Sequence, residues 1–110
     1  MKLTKEMKNW SKEWLDGLIN LTVCGVIPTV PNNYETGLCL GIREACSLLD
    51  VVATTDEWDV KIAEAISSYE DNLVGEARSD RKIVGKARII GLKAALSYAE
   101  CIELSGGMDC

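Results

Sequence analysis

Apolar residues recur along this chain at steps of three and four, the spacing of one helix face, and no long apolar pattern alternates as a half-buried strand would. Met7, Trp10, Trp14, Leu18 and Leu21 form the first such stripe, with Lys5, Lys8 and Lys12 off it and Thr4 placed to cap the helix start. Gly25 suits the left-handed position after a last turn, Val26 can fold back on it and Pro28 forbids continuation, so the first helix is expected near residues 5 to 24. The run 26 to 31 is β-branched, but its two prolines remove donors that an interior strand needs, and an extended connector is expected.

Asn32 and Glu35 have capping-box spacing, and Tyr34, Leu38, Ile42, Ala45, Leu49 and Val52 follow as one stripe, predicting a second helix to about residue 52. Thr54 and Glu57 repeat that spacing, and Asp56, Glu57 and Asp59 bring negative charge to the positive end of a third helix. The third stripe is Trp58, Ile62, Ile66, Tyr69 and Leu73. Gly75 and the polar run Glu76 to Lys82 then interrupt the pattern before a fourth helix over about 80 to 104. A turn at Gly75 competes with one long bent helix, because an interior glycine costs only about 1 kcal/mol. Gly106 and Gly107 end the last helix and leave a frayed tail over 106 to 110. The expected fold is an all-α bundle of three or four helices, with residues 1 to 110 as one domain.

Residues 40 to 49, LGIREACSLL, resemble residues 90 to 99, IGLKAALSYA; both read apolar, Gly, apolar, basic, any, Ala, any, Ser. Gly37 and Gly41 are four apart on one helix, and Ala87, Gly91 and Ala95 are four apart on another, so each helix presents a flat strip to which a second backbone can come close. The strips either pack on each other within the chain or meet a second subunit. Ala87, Gly91 and Ala95 are therefore candidates for a homodimer interface, closed two-fold pairs being the commonest oligomers.

Composition narrows the functional classes. The chain is 47% hydrophobic and 26% charged, too apolar for a disordered acidic tail, and with no Phe its core must come from aliphatic residues, Ala and three Trp. A net charge of −5 disfavours bulk nucleic-acid binding, which depends on cations displacing phosphate counterions. No stretch reaches the roughly 18 apolar residues of a membrane span, and residues 1 to 10 carry three Lys and no signal-peptide core, so a cytoplasmic protein is expected. Five Cys without a CxxC pair are read as reduced core thiols, and their separations of 15, 7, 55 and 9 match no zinc module.

Candidate chemistry is sparse. The absence of His excludes a nucleophile activated by imidazole, and no GxSxG, GxGxxG or phosphate loop is present. Glu100 and Glu103 lie three apart, and helical carboxylates can share Mg²⁺ as they do in all-helical nucleotide pyrophosphatases, but no second ExxE or ExxD completes the pattern. No cofactor and no metal site is expected. A helix-turn-helix reading of residues 45 to 66 fails because its recognition helix would open on Asp56, Glu57 and Asp59, facing phosphates with the wrong sign.

Charge is distributed more informatively. From Asp50 to Glu76 eight acids stand against one Lys, which is −7, and from Arg78 to Lys93 six basic residues stand against Asp80, which is +5. These blocks either complement each other across a helical hairpin or meet a partner. The candidate basic patch is Arg78, Arg81, Lys82, Lys86 and Arg88, with Arg81 paired to Arg88 and Lys82 to Lys86 on helix sides; the acidic one is Asp56, Glu57, Asp59, Glu64, Glu70 and Asp71.

The run GLCLGIREA at residues 37 to 45, together with small size and few aromatics, is similar in style to phage accessory proteins, though it supplies no motif whose residues carry a role. That likeness implies a small inhibitor that occupies a host protein's functional surface, such as an anti-defence protein in the host cytoplasm. Three functions follow as expectations: a non-enzymatic protein-binding accessory or regulatory protein, an oligomeric binder of a small anion such as a nucleotide, and a carboxylate-metal nucleotide hydrolase.

Overall fold

A computed structural model describes residues 1–23 and 33–104, with only the backbone described at 21–23 and 103–104. Its helices are α1 (Lys5–Val23), α2 (Asn33–Leu48), α3 (Thr55–Val74) and α4 (Ser79–Leu104), with a 3₁₀ turn at Leu49–Val51 between α2 and α3. The described residues form an all-α bundle of four helices. The chain breaks at Gly75, whose amide bonds back to the Leu73 carbonyl, so α3 and α4 are separate helices. The second stripe ends as the 3₁₀ turn, with Val52 already extended. The expected cap at Asn32, the connector 24 to 32 and the tail 106 to 110 lie outside the described residues.

Two equivalent caps start the hairpins. The Thr4 hydroxyl accepts from the Met7 amide at 3.1 Å, and the Thr54 hydroxyl accepts from the Glu57 amide at 3.1 Å. The Glu57 carboxylate returns to the Ala53 amide at 3.2 Å, one residue before the position that a strict capping box would use. The segments before these caps pair with each other: Leu3 N donates to Ala53 O and Thr55 N to Met1 O, both at 2.8 Å. This isolated antiparallel bridge buries Leu3 and has no counterpart in the helical periodicity of the sequence.

The centre of the bundle is a backbone seam. A Cβ on Gly37 would strike the Val84 carbonyl and the Ala87 methyl, one on Gly41 would strike the Arg88 carbonyl, and one on Gly91 would lie 2.5 Å from the Leu38 carbonyl and 3.3 Å from Gly41 Cα. Glycine is required there because main chain faces main chain. Gly37 meets the 84 to 88 stretch and Gly41 the 88 to 92 stretch, so α2 and α4 run in the same direction with a register offset of fifty. Ala87 and Ala95 are fully buried on this seam. The expectation that Ala87, Gly91 and Ala95 face a second subunit is thereby corrected: the strip is filled by α2 of the same chain.

The repeated segments are repeated in space. Residues 35 to 47 and 85 to 97 have the same sequence of buried, half-buried and exposed positions, and so do residues 11 to 19 and 58 to 66. Two helical hairpins, α1 with α2 and α3 with α4, thus pack through their second helices. Ser47 and Ser97 each return a hydroxyl to the carbonyl four residues back, Arg43 and Lys93, at 3.1 Å. Leu15, Ile19, Ile42, Leu49, Trp58, Ile62, Leu92 and Ile102 join one core drawn from all four helices. The stripe predicted for α1 is rotated, with Ser11, Leu15 and Ile19 innermost and Trp14 44% exposed. Trp14 instead lies flat on Tyr98, ring centroids 4.4 Å apart, and the Tyr98 hydroxyl meets Ser11 at 3.4 Å. No helix among the described residues is long and apolar enough to cross a membrane.

Candidate functional site

The structure divides the basic block of α4 into three parts. Arg78 stands at the start of the helix, where its guanidinium pairs with Asp80 at 3.0 Å and its amide donates to Glu76 Oε1 at 3.1 Å. Arg88 turns inward: it reaches Glu44 of α2 at 3.3 Å and lies over the Tyr69 ring at 4.2 Å, while Tyr69 donates to the same carboxylate at 2.8 Å. Burial, followed by the bond to Glu44, holds the Tyr69 hydroxyl above its ordinary pKa. Arg88 therefore ties α2, α3 and α4 together and does not belong to an open patch. Arg81, Lys82 and Lys86 remain exposed.

The acidic block is divided as well. Glu57 is engaged by the cap of α3. Asp59 is half-buried, one of its oxygens is enclosed without a hydrogen-bond partner, and its carboxyl is held above the usual pKa first by burial and then by Glu100 and Asp56. Asp56, Glu64, Glu70 and Asp71 point to solvent. Among the described residues no ion pair joins α3 to α4. Lys12 pairs instead with Asp50, and Arg88 with Glu44.

What the outward charges surround is a groove of about 410 Å³ between α3 and α4, lined by Glu70, Leu73, Lys86, Ile89, Ile90 and Lys93. Its apolar surface comes from Leu73, Ile89 and Ile90, with Lys86 and Lys93 flanking it from α4 and Glu70 from α3. Ile83 and Ile90, each 45% exposed and seven apart, alternate with Lys86 and Lys93 at steps of three and four. That arrangement is a second, outward stripe on a helix whose inner stripe is already used. Ile89 and Ile90 belong to no sequence motif of a site, Leu73 reads there only as the end of the third stripe and Lys93 only as the end of the basic block. Isoleucines on the polar side of the last helix were the available signal, masked by the continuous apolar content of that helix.

Among the described residues no group of three or more Cys, Asp or Glu side chains is placed to hold a metal ion. The thiols differ from one another. Cys39 is buried in the core, and burial, reinforced by Asp16, pushes the Cys46 thiol up to about 11, which keeps it protonated at neutral pH. Cys101 is disulfide-bonded, which overturns the expectation that every cysteine is reduced.

The fold and groove define a small helical bundle with an apolar surface depression flanked by lysines. Compared with protein-family models, curated proteins and solved structures, the chain matches none.

Proposed function

We propose that the protein is a non-enzymatic accessory or regulatory protein that binds another protein through the α3–α4 groove and acts as an inhibitor by covering its partner's functional surface. The observation that carries this reading is the pair of half-exposed isoleucines, Ile83 and Ile90, alternating with Lys86 and Lys93 beside an open apolar groove. Apolar side chains kept at a surface and flanked by charge have the composition of a docking site, where apolar burial supplies affinity and charge supplies register. The phage-like style of residues 37 to 45 supports a host protein as the target.

The test is comparative capture from host lysate. Wild-type protein and an Ile90→Glu variant with unchanged circular dichroism are immobilised side by side; a partner held by the first and lost by the second supports the reading. Equal capture by both removes the groove from binding.

One observation favours a second reading. Lys82, Lys86 and Lys93 share one side of α4 and are exposed, a geometry that also suits a small phosphorylated ligand. A thermal shift with nucleotides that vanishes in a Lys86→Gln, Lys93→Gln variant would support it.

A further inference from the structure

We infer that the α3–α4 groove receives the outer face of α3 from a second copy of this chain, so that copies join head to tail. The inference rests on the reading of the groove as a protein-docking surface and adds its first occupant.

The complement to the groove is present on the same molecule. Along the outside of α3, Glu57, Val60, Glu64, Ser67 and Asp71 follow at steps of three and four, and all are exposed. Val60 is 55% exposed. The face reads acid, apolar, acid, small, acid, with carboxylates seven residues apart. Along α4 the stripe reads Ile83, Lys86, Ile90, Lys93, with ammonium groups seven apart. Seven residues of helix span about 10 Å, so the two ladders have a common repeat. Laid side by side in the same direction, Glu64 and Asp71 reach Lys86 and Lys93, and Val60, four residues before Glu64, comes near the level of Ile83, three before Lys86.

Charge also selects the mode. Two α4 faces brought together by a two-fold axis would set Lys86 and Lys93 against their own copies, which like-charge repulsion opposes. Acidic α3 against basic α4 is attractive, and it joins different surfaces of the two copies. Such a contact is heterologous and continues into rings or open arrays. Among the described residues no ion pair engages Glu64, Asp71, Lys86 or Lys93, whereas Glu57 is held by its cap. A partner protein bound in the groove would then have to displace a neighbouring copy.

The experiment uses the full chain and two charge-reversed forms. One carries Lys86→Glu with Lys93→Glu; the other carries Glu64→Lys with Asp71→Lys, leaving Glu57 to its cap. All these side chains are exposed, and circular dichroism checks that each form keeps its helices. Light scattering of wild-type protein should show the average mass rising about twofold or more with concentration, the least that a head-to-tail contact gives. The rise should disappear as salt shortens the Debye length from about 10 Å at 0.1 M to about 3 Å at 1 M. Each reversed form alone should stay monomeric, and an equal mixture should regain the larger mass, because the acidic face of one then fits the basic groove of the other. Association of the reversed forms on their own, or a mixture that stays monomeric, overturns the inference. A wild-type chain that remains monomeric at every concentration also overturns it; if Ile90→Glu still abolishes capture of a host protein, the docking groove itself stands.

Discussion

The two hairpins bury matching positions with different side chains. At the place where α3 inserts Trp58, fully buried and donating its indole N–H to the Ala45 carbonyl at 3.0 Å, α1 inserts Ser11, also fully buried. The difference is balanced on the second helices: α4 carries Tyr98 where α2 carries Leu48, and the Tyr98 hydroxyl reaches Ser11. Tyr98, which also meets the Trp58 ring edge-on at 6.3 Å, thus faces a small residue, Ser11, on α1. Backbone geometry sets which positions are buried, whereas volume and hydrogen-bond complementarity set which residue each position takes.

The sharpest way to break this balance is Trp58→Ala, which removes the largest fully buried side chain and leaves the Ala45 carbonyl without its donor. A loss of about 3 to 5 kcal/mol is expected, read as an earlier denaturant midpoint. Ser11→Trp attacks the same relation from the other hairpin, where Tyr98 already fills the space, and should cost about 1 to 3 kcal/mol by overpacking. Adding Tyr98→Leu places on α1 and α4 the residue types that α3 and α2 carry at the matching positions, Trp58 and Leu48. It should recover part of that loss, and a double-mutant cycle showing simple additivity would deny that the two positions are coupled.

Glycines give a comparison of opposite signs. Gly41→Ala places a methyl group against the Arg88 carbonyl and the Leu92 amide, so the two backbones must part, at about 1 to 3 kcal/mol. Gly17 has nothing within 4 Å of a Cβ, and Gly17→Ala should stabilise α1 by about 0.5 to 1 kcal/mol through helix propensity. Thermal melts of the two variants should therefore move in opposite directions. If Gly41→Ala melts no earlier than wild type, the seam is not as close as described.

The smallest effect concerns Asp59. Its carboxyl is raised above the ordinary value in the folded chain, so the native state holds a proton more readily than the unfolded one, and stability falls as pH rises through that interval. Asp59→Asn should then melt slightly later than wild type at pH 7, within about 0.5 kcal/mol, and the advantage should vanish once the pH falls below the ordinary aspartate range. An advantage that is the same at both pH values would assign it to packing and not to charge.

Helix existence and type were legible in the sequence because a 3.6-residue period needs only local residues to declare itself, and Thr4 and Thr54 cap where their spacing places them. The glycines of α2 and α4 likewise announced a close approach of two backbones. Whether the second backbone belonged to the same chain was decided only by tertiary packing, since a small-residue strip states how near a neighbour comes and not which neighbour it is. Periodicity also misplaced the inner face of α1. Trp10 and Trp14 have the hydrophobicity of core residues, but Tyr98 needs a small polar partner for its hydroxyl, so Ser11 takes the buried position and Trp14 stacks across the ring at the surface. The charge blocks were countable in the sequence, yet Arg88, turned to Glu44, and Lys86, turned to the groove, are indistinguishable until three helices are assembled around them. Local propensity acts through residues a few places apart, whereas these assignments depend on groups brought together from 44 residues away, as Arg88 and Glu44 are.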